Sequence, residues 1–280
     1  MMIRRLLFLA LVLSLGGSGQ AHGLLHAEIA QLTAELDQFP NDPARLAQRG
    51  ELFRVHGLFS EARLDWDKVA ALLPNDVTND LRLGLLELGV RNTNAAVKRL
   101  DHFLEARPSS LEGQLAAAEA ETLAGNSIRA VAHWSTAIGL SDEPRPDWYL
   151  HRARAGQSAG QSPNQILEGL DAGIARYGPL PSLQLMAVDL EVQRGAIDAA
   201  LARLDALAAR ADRKERWFVR RGDVLVAAGQ PERARAEFLA AQRALESLPE
   251  KLRRSWTANE LRQQIDTKLA ALSPVPSSSK

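Results

Sequence analysis

Cysteine is absent from all 280 residues. That excludes disulfides, thiolate metal ligands, a cysteine nucleophile and a lipid-anchored cysteine behind an export signal. Aromatic side chains are scarce, at 5%. The apolar fraction is nevertheless 46%, with much of it Ala and Leu. A core is therefore available, but it must be built from small and aliphatic groups, which favours closely packed helices. No excess of either charge exists, with 34 basic residues against 34 acidic ones. The chain as a whole carries no field that would draw in nucleic acid or an anionic membrane. Long apolar runs are missing as well. The stretch from Leu6 to Leu15 covers about ten residues, half of the roughly 20 that a membrane-crossing helix needs.

The place of that short run gives it a meaning. Arg4 and Arg5 precede it, and Gly16, Gly17, Ser18, Gly19, Gln20 and Ala21 follow. Basic residues, then an apolar stretch, then small residues make a secretory signal peptide. Residues 1–21 are expected to be removed after Ala21, leaving a slightly acidic, periplasmic or secreted protein with no stable membrane insertion. The cut would make His22 the new N-terminus, with His26 one helical turn later. A terminal amine and imidazole nitrogens suit Cu(II), so His22 and His26 are candidate metal ligands. The other histidines, His56, His102, His133 and His151, are scattered.

Self-comparison shows a period of 34 residues. Pro40, Pro74 and Pro108 keep it, as do Gly57, Arg91 and Gly125. So do Ala62, Ala96 and Ala130, then Trp66, Leu100 and Trp134, and finally Gly50, Gly84 and Ala118. Each column holds a restricted residue type. The columns continue with small shifts through Gly160, Gly195 and Gly229, with Ala200 and Ala234 five residues after their glycines and Leu204 and Phe238 in the large-residue column. The stretch from Ser141 to Pro146 interrupts the period. After it, Gln165 and Gly169 fill the expected Ala and large-residue places, unless one inserted residue moves Ile166 and Leu170 there.

Helix starts agree with this frame. Asp42–Pro43 and Ser162–Pro163 pair an N-cap with a proline at the first helical position. Gln230–Pro231 is similar, and Ser109 with Glu112 fits a capping box. Leu25, Ile29, Leu32 and Leu36 put a stripe on a lone N-terminal helix over Leu24–Phe39. Leu261, Ile265, Leu269 and Leu272 do the same at the other end.

In these columns the chain resembles the tetratricopeptide repeat, a helix–turn–helix unit of 34 residues. The departures are Arg91 at a usual glycine place and Asp142 at a usual proline place. The resemblance implies an all-α, right-handed α-solenoid of about six helix pairs with capping helices at both ends. The expected divisions are a signal peptide (1–21), an N-terminal capping helix (22–42), repeats one to three (43–142), repeats four to six (143–249), a C-terminal capping helix (250–272) and a disordered tail (273–280).

In such repeats the concave face is lined by the first helix of each pair. The resemblance places Leu81, Leu115, Leu150, Leu185 and Val219 on its apolar floor. Beside them fall Glu51, Leu85, Glu119, Arg154, Asp189 and Asp223, a mostly acidic row, and then Arg54. Such a groove suits an amphipathic or extended peptide carrying basic residues. Repeat proteins that clamp a C-terminal carboxylate use Lys and Asn here, and neither occurs in these columns.

Gly156-Gln157-Ser158-Ala159-Gly160 matches a nucleophile elbow in letters, but the elbow follows a strand and these residues fall at a repeat turn. No other catalytic motif and no cofactor motif occurs. The expected role is a non-enzymatic protein-binding scaffold or adaptor in the cell envelope, with a protein or peptide partner and no nucleic acid. The alternatives are a copper-handling protein using His22 and an accessory factor of a neighbouring envelope enzyme or assembly system.

Overall fold

The computed structural model describes residues 18–272. The expected signal segment before Ser18 and the expected disordered tail Ser273–Lys280 lie outside the described residues. Among those described there is no strand, and all regular structure is helical. No helix is long and apolar enough to cross a membrane.

Compactness divides the chain between Ala124 and Gly125. The first unit contains α1 (Ser18–Gln38), α2 (Pro43–Val55), α3 (Phe59–Leu72), α4 (Thr78–Gly89), α5 (Thr93–Ala106) and α6 (Leu111–Ala124). The second begins with α7 (Ser127–Leu140), α8 (Pro146–Ser158), α9 (Pro163–Tyr177), α10 (Pro181–Gln193) and α11 (Ile197–Arg210). It ends with α12 (Glu215–Ala227), α13 (Pro231–Glu246), α14 (Glu250–Arg253) and α15 (Trp256–Ala271). The helices follow the expected order of six pairs, from α2/α3 to α12/α13, with α6 closing the first unit and α7 opening the second. Between α7 and α8 the Ser141–Pro146 stretch is tied down. Tyr177 Oη donates to the Pro144 carbonyl, and Arg176 to that of Asp142.

Local chemistry sets the helix ends. Asp42 Oδ1 accepts from the amides of Ala44 at 2.9 Å and Arg45 at 3.1 Å, with Pro43 at the first helical position. The Arg45 amide, with further help from its guanidinium, holds the Asp42 carboxyl below its ordinary value. Ser162 and Gln165 form a reciprocal capping box on α9. On α6 the capping hydroxyl is Ser110, accepting from the Gly113 amide at 3.2 Å, rather than the expected Ser109. The expected single helix over 250–272 is divided, because Ser255 caps α15 through the Ala258 amide at 3.3 Å and so ends α14 before it. At the other end α1 starts at Ser18, ahead of the expected Leu24.

Packing inside each pair follows the small and large columns. A Cβ on Gly50 would lie 2.4 Å from Trp66 Nε1, and one on Gly222 would lie 2.3 Å from the Phe238 ring. Both large side chains are buried, and Trp66 Nε1 donates to the Ala47 carbonyl at 3.1 Å. Ile166 and Leu170 are buried while Gln165 is exposed, so the fourth repeat does hold one inserted residue. The turn column is left-handed in all six repeats. Five of these residues are glycine and the sixth is Arg91, with φ of 62°. Arg91 is the one described non-glycine residue with positive φ.

A column of buried carboxylates joins neighbouring helices. Glu87 on α4 accepts from Arg63 Nη2 of α3 at 2.6 Å and from Asn92 Nδ2 at 2.8 Å. Glu191 on α10 accepts from Arg194 at 2.5 Å and from Arg203 of α11 at 3.0 Å. Arg203 also reaches Asp171 on α9 at 2.7 Å, so one guanidinium spans three helices. A buried charge keeps its ionised form only when paired in this way.

Candidate binding groove

The first helices of successive pairs, α2, α4 and α6, carry the columns expected to bind. In the first unit Leu81 is buried in the core formed with Leu100, Phe103, Ala116 and Ala120, so it supports the floor from beneath. Leu85 is half-buried against the same core, and Leu115 is half-buried. Glu51 is not free to meet a ligand cation. Arg54 grips it with both arms, Nη2 to Oε1 at 2.6 Å and Nε to Oε2 at 2.8 Å, and this pairing raises the Arg54 pKa. Glu119 is exposed and has no ion-pair partner among the described residues.

Around these side chains runs an open groove of about 510 Å³, lined by Arg54, Val55, Phe59, Leu85, Leu88, Gly89, Arg91, Glu119 and Leu123. Its volume falls in the range of ordinary ligand sites. Val55 is 58% exposed and Leu123 is 41% exposed, an apolar surface with no folding role. Gly89 leaves room for Phe59, whose ring would lie 2.4 Å from an added Cβ. Arg91, exposed at its left-handed turn, adds a guanidinium with no ion-pair partner among the described residues. Val55, Phe59, Gly89 and Leu123 were not among the expected residues. Their signal was a 34-residue spacing of Val55, Gly89 and Leu123, readable only once the last turn of each first helix is known to face the groove.

The second unit treats the aliphatic column alike and the acidic column differently. Val219 is buried in the core with Leu225, Phe238 and Leu261. Leu150 and Leu185 are half-buried against neighbouring core groups. Asp189 is bound by Arg220, and Asp223 by Lys268 of α15 at 2.6 Å. Both acids of the expected row that lie in this unit are thus paired. Their carboxylates are neutralised by cations from the next first helix and from the C-terminal helix, two elements that a single repeat does not contain. Arg154 is exposed, with no ion-pair partner among the described residues. A cavity of about 380 Å³ lies between α12 and α15, lined by Arg216, Val219, Arg220, Asp223, Thr257, Glu260, Leu261 and Gln264.

Of the expected metal ligands, His22 belongs to α1 but its side chain lies outside those described. His26 is exposed, and its ring centroid lies 5.1 Å from that of His56 on the C-terminal end of α2. The elbow-like Gly156–Gly160 segment ends α8 and turns at Gly160, with φ of 72°.

No protein-family model matches the chain, and no curated protein does. Solved structures match over most of its length. One, a tetratricopeptide repeat protein from Parabacteroides merdae, has a TM-score of 0.52 at 17% identity, over 88% of this chain and 94% of that one. The fold is that of tetratricopeptide-repeat solenoids. The C-terminal part of a TPR repeat-containing protein from Cytophaga hutchinsonii gives a TM-score of 0.62 at 10% identity, over 83% and 96% of the two chains. YrrB, described as a TPR protein with an unusual peptide-binding site, gives 0.50 at 15% identity, over 71% and 97%. At these identities the likeness concerns the tetratricopeptide fold alone, and function must be argued from the groove.

Proposed function

We propose that this protein is a non-enzymatic binding scaffold of the cell envelope that holds an apolar segment of a partner protein in the groove of its first unit. The observation that carries the reading is the exposed Val55 and Leu123 beside half-buried Leu85, a floor that water covers at a cost and a partner's apolar side chains would cover with gain. Glu119 adds a place for one basic residue of the partner, and Arg91 a place for one acidic residue. Partner specificity then rests mainly on apolar fit rather than on a row of acids. The export signal read from residues 1–21 supports the envelope location. YrrB, with its peptide-binding site, is a precedent within the same fold.

The test is affinity capture from an envelope extract with the wild type, a Leu85→Asp/Leu123→Asp variant and an Asp189→Asn/Asp223→Asn variant. The first variant is expected to lose the captured protein by about tenfold or more, as for a hydrophobic contact replaced by a charge. The second is expected to keep it. Equal capture by all three would sink the groove assignment.

A further inference from the structure

The second unit ends in an element that its core does not explain. Helix α14 buries none of its four residues. Every side chain from Pro249 to Arg254 is exposed. Two large apolar groups stand in or beside this segment, Leu252 at 43% and Trp256 at 74% exposure. Trp66, Trp134 and Trp148 are all buried and Trp217 is half-buried, so Trp256 departs from every other tryptophan of the chain. Lys251, Arg253 and Arg254 stand among them, against a single carboxylate, Glu250. Glu250 is held by Arg254 at 2.7 Å, and Lys251 and Arg253 have no ion-pair partner among the described residues. The Arg253 guanidinium donates to the Glu246 carbonyl at 3.2 Å. Charge balance over the whole chain conceals this local excess.

Folding supplies no reason to turn a tryptophan and a leucine outward together. An anionic lipid surface supplies one. Indole rings settle at the headgroup level of a bilayer, aliphatic groups gain by burial just beneath it, and lysine and arginine gain from anionic headgroups. A nucleic acid would stack on Trp256 and attract the cations but would offer Leu252 nothing. We infer that α14 and the start of α15 form a peripheral docking patch for anionic lipid headgroups, with Trp256 and Leu252 entering the interface and Lys251 and Arg253 contacting the headgroups. The contact is superficial, in keeping with the lack of a membrane-spanning helix among the described residues. It is independent of the groove of the first unit.

The experiment is flotation of the chain from His22 onward, as processing after Ala21 would leave it, with vesicles of phosphatidylcholine alone or mixed equally with phosphatidylglycerol. Binding to the mixed vesicles is expected to be several-fold higher at low salt and to fall away near about 0.5 M salt, where charges on the surface are screened. Lys251→Glu with Arg253→Glu, and separately Trp256→Ala, are each expected to lower it by roughly threefold or more. Tryptophan emission gives a readout on the unaltered fold: a blue shift with mixed vesicles that is missing from Trp256→Phe. Equal binding to both vesicle types overturns the proposal. So does binding that neither variant changes, and so does an emission shift that survives in Trp256→Phe.

Discussion

The two units present the same repeat columns with opposite finishes. In the first, the inner face carries Leu85, Leu88, Val55 and Leu123, with Glu119 unpaired at its side. In the second, the corresponding acids are closed off by Arg220 and Lys268, while Val219 is buried as Leu81 is in the first. The small, turn and large-residue columns are shared. The repeat therefore dictates where a side chain stands, while its neighbours decide whether it is available to a ligand. The first unit is finished for binding and the second for self-satisfaction.

Three perturbations would break or sharpen that contrast. The largest effect is expected where the units are alike. Trp66→Ala and Phe238→Ala each remove a buried aromatic group that fills the gap over a glycine, and each should cost about 3–5 kcal/mol in chemical denaturation. A loss below about 1 kcal/mol in either would mean that the unit is loosely packed and that its finish cannot be compared with the other's. Next comes the difference between buried and displayed acids within the second unit. Glu191→Ala would strip Arg203 and Arg194 of their buried partner, leaving Arg203 with the exposed Asp171 alone, and should cost about 2–3 kcal/mol. Asp189→Asn opens an exposed pair and should cost less than about 1 kcal/mol by the same measurement. Similar losses would show that Asp189 is structural rather than a surface acid that happens to be paired. The smallest effect is at the turns. Arg91→Gly should stabilise by up to about 1 kcal/mol, by relieving a left-handed backbone. Gly229→Ala, at the same column of the second unit, should cost about as much. A loss of stability in Arg91→Gly would mean that the guanidinium holds the turn by contacts of its own.

The fold was legible because its rules are local and repeated. Pro43 and Pro231 mark helix starts, the turn column tracks the left-handed residues, and the gap opposite Gly50 calls for a residue as large as Trp66. The start of α6 was misjudged by one residue because Ser109 and Ser110 both offer a hydroxyl, and only the turn geometry selects the second. Availability at the site was much less legible. Asp189 and Asp223 look like surface acids in sequence, yet their partners lie 31 and 45 residues away. Glu87, Glu121 and Glu191 share one column, so the pattern was present. A charged residue is taken as solvated by default, however, and Arg63 and Arg203, which permit the burial of Glu87 and Glu191, keep no period of their own. The outward Leu252 and Trp256 were hidden for a related reason: a helix was expected there, but its break at Ser255 was not.

The bond from Arg63 to Glu87 reaches from one repeat into the next. In the following repeat the place corresponding to Arg63 is held by Val97, 34 residues on. If the segment from Val77 to Ser110 were copied in tandem, the second copy of Glu87 would face valine where the first meets Arg63, and would keep only the amide of its own Asn92. These repeats are thus joined like keyed blocks rather than identical bricks. An engineer wishing to lengthen the array would have to copy the lock along with the key.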